Sequence, residues 1–303
     1  MSNLLRRDSS VKSKRFKWSV AGPYLTVTPG ILLLIIIAIY PIIFLIGISF
    51  MKYNLLDKNR HFVGLRNFIL ILTDNNFWQS LSVTLIFVLT TVTIEFFVGL
   101  LIASTLNKEV RGQRFFQMIF LLPIVVAPTV VGLIWRFMLN YEYGIINYFF
   151  KLINIPRLGW LANQSLALIS IIIADIWQWT PFMIIILLAG LQSLPTEVIE
   201  ASVIDGCSGI QSWIHVKLPM IKKIIAIVLL LRIIDTFRIY DIVAMMTRGG
   251  PVKATSTLSW NIYTRGFLIF DFDKAAAMSL ITLVIVTIIT TIILKITKFE
   301  ISE

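Results

Sequence analysis

Charge is scarce in this chain of 303 residues: only 14% of them are Asp, Glu, Lys or Arg. An average soluble domain carries about 25%. So few charges cannot cover a soluble enzyme or keep a disordered chain in solution. Cysteine occurs once, at Cys207. That excludes an intramolecular disulfide, a cysteine-rich zinc site and an iron–sulfur cluster. The two histidines, His61 and His215, lie far apart, and no H-E-x-x-H occurs. There is no Gly-Lys dipeptide, hence no Walker A loop. Any ATP that drives this protein is bound by another chain. No internal repeat is visible, which weighs against an inverted-repeat secondary transporter.

Apolar residues are what the chain has in abundance, at 57%. A helix that crosses a membrane needs about 20 of them, because about 1.5 Å per residue must cover about 30 Å. Six runs qualify, at about 27–50, 80–106, 115–139, 166–191, 221–246 and 275–294. The fifth is the weakest, since it carries Arg232, Asp235, Arg238 and Asp241. The net charge of +11 then points to a lipid bilayer and not to nucleic acid. Six spans put both termini on one side. Residues 1–23 form a basic tail holding Arg6, Arg7, Lys12, Lys14, Arg15 and Lys17. The second inter-span loop holds Lys108, Arg111 and Arg114. The positive-inside rule makes both cytoplasmic, and with them the C-terminus. The first apolar run is too long for a secretory signal and no A-x-A site follows it, so it reads as a retained anchor.

Residues 192–220 are neither a span nor a plain linker. Pro195 suits a first helical turn, and Glu197 follows where an acidic group is favoured. The pattern predicts a helix from Thr196 to Asp205, ended by a left-handed Gly206. Ser208 with Gln211 forms an S-x-x-Q capping box for a second helix reaching about Lys217, and Pro219 marks the start of the fifth span. The prediction is a helix–turn–helix on the cytoplasmic membrane surface.

At these residues the sequence resembles a family. Glu200-Ala201-Ser202-x-x-Asp205-Gly206, with Leu218-Pro219 thirteen residues after the glycine, is similar to the EAA loop of bacterial ABC importer permeases. The subtype is the MalF/UgpA-like carbohydrate permease. Ser202 and Cys207 stand where that family usually has Ala, and Trp213 where it usually has Phe. Phe62-Val63-Gly64-Leu65-x-Asn67-Phe68 resembles its first external loop. Tyr240-Asp241-Ile242 followed by Thr247-x-Gly249-Gly250-Pro251 resembles its F-D-x-I and T-x-G-G-P signatures, with Arg248 where Gly is frequent. Ala275-Ala276-Ala277-x-Ser279 resembles the start of its last span.

The resemblance implies an all-α integral membrane protein of the type I importer, MetI-like permease fold. Residues 24–303 would form the six-span domain. It implies half of a translocation pathway in the bacterial inner membrane. The implied partners are a second six-span permease, two cytoplasmic ABC ATPases that bind Mg-ATP, and an extracytoplasmic sugar-binding protein. This chain would hold no cofactor, no metal and no catalytic residue. Glu197, Glu200, Ala201, Ser202, Asp205, Gly206, Leu218 and Pro219 would serve ATPase coupling. Glu200 and Asp205 either hold basic groups of the ATPase, cap backbone N–H groups, or simply solvate a surface helix.

Ionisable groups inside a span cost about 2.5–3.5 kcal/mol on insertion scales, so they face protein or a water-filled path. Glu95 and Asp175 each stand alone in an apolar span. Both readings are open for them, pairing between helices and lining the path. Arg232, Asp235, Arg238 and Asp241 alternate in sign at three-residue steps, which suits pairing along one helix. That stripe either faces the path or holds helices together. Trp177 and Gln178 suit the apolar faces and hydroxyls of a sugar, or ordinary packing. The candidate pathway set is Glu95, Trp135, Asp175, Trp177, Gln178, Asp235, Arg238, Tyr240 and Asp241. Asn67, Gly249, Gly250, Pro251 and Trp260 are candidates for docking the binding protein, the alternative being a lid on the chain's own bundle. The competing function is an ion-coupled secondary transporter or channel, with the buried acids as a proton relay. A membrane enzyme would need clustered acid–base or metal ligands, which the sequence does not contain.

Overall fold

The computed structural model describes residues 18–54, 57–107 and 113–296. The basic tail at 1–17, with Lys108 and Arg111, lies outside them. The helix α1 (Trp18–Ser49) is apolar on all sides. Its side chains from Tyr24 to Phe44 are exposed, as suits a helix that meets lipid all round. Its residues 18–48 belong to the first of two compact units, which divide after Ile48.

The second unit opens with an antiparallel hairpin, β1 (Met51–Asn54) and β2 (Asp57–Phe62), where the sequence suggested only a loop. The short helix α2 (Arg66–Leu72) follows. Next comes α3 (Asn75–Leu106), which starts on an Asp74 cap that accepts from the Asn76 N–H. The third expected span is not one helix. It is α4 (Gln113–Val125) and α5 (Pro128–Met138), bent by 100° between them. Pro128 explains the bend, because it drives Ala127 out of the helical region to φ −58°, ψ 136°. The freed carbonyl of Val126 accepts from Gln178 at 2.9 Å.

The short helix α6 (Ile145–Leu152) leads to α7 (Gln164–Gln192), which passes Pro181 as a single helix. After it come α8 (Thr196–Ile204), α9 (Gly209–Ser212), a π-turn at Trp213–Lys217, and the turn α10 (Leu218–Met220).

The fifth expected span is also broken. The helix α11 (Lys222–Phe237) has 16 residues. At about 1.5 Å each it is too short to cross about 30 Å alone. Arg238–Tyr240 then separate it from α12 (Asp241–Met246). The carbonyls freed at the break are taken by hydroxyls of a later segment. Thr257 donates to Ile239 O and Ser259 to Phe237 O, both at 3.2 Å. No local sequence signal marks this stop. The chain ends with α13 (Leu258–Tyr263), a π-turn at Thr264–Leu268, and α14 (Phe272–Ile296). Among the described residues, four helices are long and apolar enough to cross a membrane, or five if the bent pair counts as one.

The core lies between α3, α7 and α11, where Val88, Leu187 and Val228 are buried together. Gly99 sets the spacing of α3 and α7. A Cβ there would stand 2.7 Å from that of Met183. A second apolar cluster joins α5, α7 and α12 around Val131, Ile171 and Val243.

Candidate functional site

Three places carry the polar chemistry of this chain. The first is the segment after α7. Pro195 caps α8, and Glu197 lies in its first turn. Asp205 ends the helix, and Gly206 follows at φ +82°. Cys207 N–H donates to Ser202 O and Gly206 N–H to Val203 O, both at 3.0 Å. This is the glycine-closed helix end that the spacing predicts. The capping box is complete: Gln211 N–H donates to Ser208 Oγ, and Ser208 N–H to Gln211 Oε1.

The hydroxyls of Ser202 and Ser212 share a buried hydrogen bond of 3.2 Å, clasping α8 to α9. The serine at 202 therefore does more than replace a small residue. Glu197, Glu200, Ala201, Asp205 and Pro219 are exposed, and Leu218 is half-buried. So are several large apolar groups: Val203 is 64% exposed, Ile204 86%, Ile210 74% and Ile214 54%. Two short helices thus present an apolar, acid-edged surface that nothing among the described residues covers.

The second place is a buried ionic node. Arg232 of α11 donates to both oxygens of Glu95 at 2.8 Å, to Asp175 at 2.7 Å and to Asp235 at 2.8 Å. Its guanidinium stands 5.0 Å from the ring centroid of Trp179. Glu95, Asp175 and Arg232 are essentially unexposed. Pairing between helices is therefore what Glu95 does here, and it lines no open path. Asp235 forms the expected three-residue pair with Arg232, but the alternating ladder stops there because α11 ends at Phe237.

Beyond the node lies a cleft of about 130 Å³. Asp175, Asp235, Arg238, Tyr240 and Asp241 line it, together with Pro128 and Trp179. Asp241 accepts from Thr129 at 3.2 Å. Glu95, Trp135, Trp177 and Gln178 are not among the residues lining it. Trp135 and Trp177 meet each other edge to face at 6.2 Å, and Gln178 is buried against Val126. The aromatic wall of the cleft is Trp179, two residues from the expected Trp177. Arg232 and Trp179 were the groups sequence reasoning left outside the candidate set. The clue to Arg232 was charge balance, two lone acids in separate spans and a basic group in a third.

The third place is a polar pocket of about 430 Å³ between the start of α3 and residues 248–271. Arg248, Gly249, Gly250, Lys253 and Trp260 line it, with Asn76 and Asn261. Trp260 packs on Tyr240 at 6.0 Å and closes against Gly249. Asn67 is not available for docking. It is buried, and its amide donates to the carbonyls of Ser49 and Met51 at 2.9 Å.

A family model described as binding-protein-dependent transport system inner membrane component matches residues 95–299. The trehalose/maltose transport system permease protein MalF of Thermococcus litoralis is 33% identical over 297 residues, covering 97% of this chain and 99% of that protein. The sn-glycerol-3-phosphate transport system permease protein UgpA of Agrobacterium fabrum is 32% identical over 271 residues, covering 88% and 92%. Among solved structures, a bacterial ABC transporter that imports the acidic polysaccharide alginate superposes with a TM-score of 0.81 at 20% identity. It covers 94% of this chain and 99% of that one, a likeness of fold.

Proposed function

This chain belongs to the family of binding-protein-dependent transport system inner membrane components, and from that premise we propose that it is the permease half of an ATP-driven carbohydrate importer. Membership makes it a multi-pass inner membrane transport component and not itself an enzyme. The carbohydrate reading is supported by relatives named for trehalose/maltose and glycerol-3-phosphate transport.

In this reading the bent pair α4–α5 and the broken pair α11–α12 each count as one span. Six spans then place both termini in the cytoplasm. A second permease completes the pore, a sugar-binding protein delivers from outside, and two ATPases bind Mg-ATP below. The observation that carries the proposal is the clasped helix pair α8–α9 with its uncovered apolar surface. Rigid helices transmit displacement, whereas a flexible loop absorbs it. ATP binding would close the ATPases and draw two such levers together, opening the pore outward. Hydrolysis would reset it. Alternating access requires ligands that bind the two states unequally, which the nucleotide supplies at the lever.

The sugar path would run by the cleft of Asp175, Asp235, Arg238, Tyr240 and Asp241. The outer pocket at Gly249, Gly250, Pro251 and Trp260 would face the binding protein.

The test is Glu200→Ala combined with Gly206→Pro. Proline cannot adopt φ +82°, and it removes the N–H that bonds Val203. ATP-driven uptake should be abolished while the chain still inserts. Unchanged uptake would sink the coupling role. Purification of the tagged chain from native membranes should bring down a soluble ATPase and a second six-span chain.

A further inference from the structure

The helix α6 has one face fixed and one face bare. Its inner face is held by Asn147, which accepts from the Leu158 N–H at 3.1 Å and from Trp160 Nε1 at 3.2 Å, and donates to Leu158 O at 3.0 Å. Phe150 packs on Trp160 at 5.7 Å. Its outer face carries Ile145, Tyr148, Phe149 and Leu152, which are the i, i+3, i+4 and i+7 positions of a single helical stripe. All four are exposed, Tyr148 by 57% and Leu152 by 60%. An eight-residue helix in water has little stability of its own, and an apolar stripe turned to water would weaken it further.

The height of α6 is set by α7. Ser170, whose hydroxyl bonds Leu166 O at 2.7 Å, also stands 3.5 Å from Trp160 O, and Trp160 is held to α6 by Asn147 and Phe150, so α6 lies beside the first two turns of α7. With 29 residues α7 is about 43 Å long, and hydrocarbon takes about 30 Å of that, or about 20 residues. Counted back from Gln192, where the cytoplasmic loop begins, the apolar layer ends near Ile172. Ser170 and α6 therefore stand at headgroup depth.

We propose that α6 lies flat in the outer headgroup layer of the bilayer, with Ile145, Tyr148, Phe149 and Leu152 turned into the acyl boundary. The inference rests on the cytoplasmic placement of residues 192–220 given above. The composition fits that occupant. Tyrosine has an apolar ring and a wet hydroxyl, and it concentrates in this layer. Tyr141, Tyr143 and Tyr148 lie together here, all exposed. The charges of the segment, Glu142, Lys151 and Arg157, are off the stripe, and Glu142 pairs with Arg157 at 3.3 Å. This is the pattern of an interfacial helix. The helix would tether the α5–α7 link at one depth while the broken spans rearrange.

The test uses the assembled transporter in liposomes of phosphatidylcholine and phosphatidylglycerol. In a Cys207→Ser background, single cysteines replace Tyr148, Leu152 or Lys151 and carry a nitroxide. Collision with oxygen, which dissolves in lipid, is compared with collision with a water-soluble nickel chelate. The expected result is a severalfold higher oxygen-to-nickel ratio at 148 and 152 than at 151. Nickel-dominated collision at all three would put the helix in water and overturn the proposal. Low collision with both reagents at 148 and 152 would overturn it in favour of a protein partner on this face. Phe149→Cys serves if Tyr148→Cys does not assemble. Sidedness is read separately, by a membrane-impermeant maleimide on Glu142→Cys in intact cells. Labelling only after lysis would overturn the outer placement and the topology above, whereas the collision ratios report depth in either case.

Discussion

Arg232 in α11 binds both carboxylate oxygens of Glu95 in α3, at 2.8 Å each, across 137 residues of chain. The planar guanidinium matches a carboxylate in this two-bond form, and a lysine does not. The remaining donors reach Asp175 in α7 and Asp235 in α11. One side chain therefore ties together the three helices of the main core, and two of its partners, Asp175 and Asp235, line the cleft.

Arg232→Met should leave Glu95 and Asp175 buried with no counter-charge. Breaking such a pair costs about 3–5 kcal/mol. A large fall in the detergent melting temperature is expected, and Arg232→Lys should recover little of it. An unchanged melting curve for Arg232→Met would show that the node is dispensable.

Gly99→Leu should separate α3 from α7. The new Cβ would stand 2.7 Å from that of Met183 and 3.5 Å from the backbone of Ile184. Overpacking of this kind costs about 1–3 kcal/mol. Thermal inactivation of reconstituted uptake would report it, with Gly99→Ala intermediate between the two.

Asn147→Ala should loosen the whole α5–α7 link. The change strands the Leu158 N–H and the Trp160 indole N–H. Both donors are only partly buried, so each costs less than the about 1–3 kcal/mol of a fully buried unpaired donor. Limited proteolysis should then cut within 141–163 sooner than in the parent protein, while the 192–220 segment keeps its original rate.

Ile204→Glu together with Ile210→Glu should weaken ATPase capture without changing the melting temperature. Both side chains are largely exposed among the described residues, so stability has little to lose. An apolar docking surface that acquires two charges loses its fit to an apolar cleft. Equal ATPase recovery in pull-downs would move the docking surface elsewhere.

Local features of the sequence were the legible ones. The capping box at Ser208 and Gln211 and the left-handed Gly206 come from a few neighbouring residues, so spacing alone predicts them. The bend before Pro128 is equally local, although the 100° that it reaches needed the structure. The end of α11 at Phe237 was not legible. Neither proline nor glycine marks it, and the hydroxyls of Thr257 and Ser259 that stabilise it come from some twenty residues further on. The hairpin at 51–62 was missed for lack of an alternating apolar pattern.

By itself the sequence determined that this chain lives in a membrane, that it carries no Walker A loop, and where its capped helix pair lies. Those properties follow from composition and from contacts within a few residues. Only the tertiary structure decided what the buried charges do. Glu95 and Asp175 each looked like an isolated penalty in its own span, and Arg232 like one rung of a ladder along the fifth. Ion pairing depends on distance in space, and the distance between α3, α7 and α11 is set by packing such as Gly99 against Met183. The same packing turned the alternating stripe of α11 into one buried node and an open cleft.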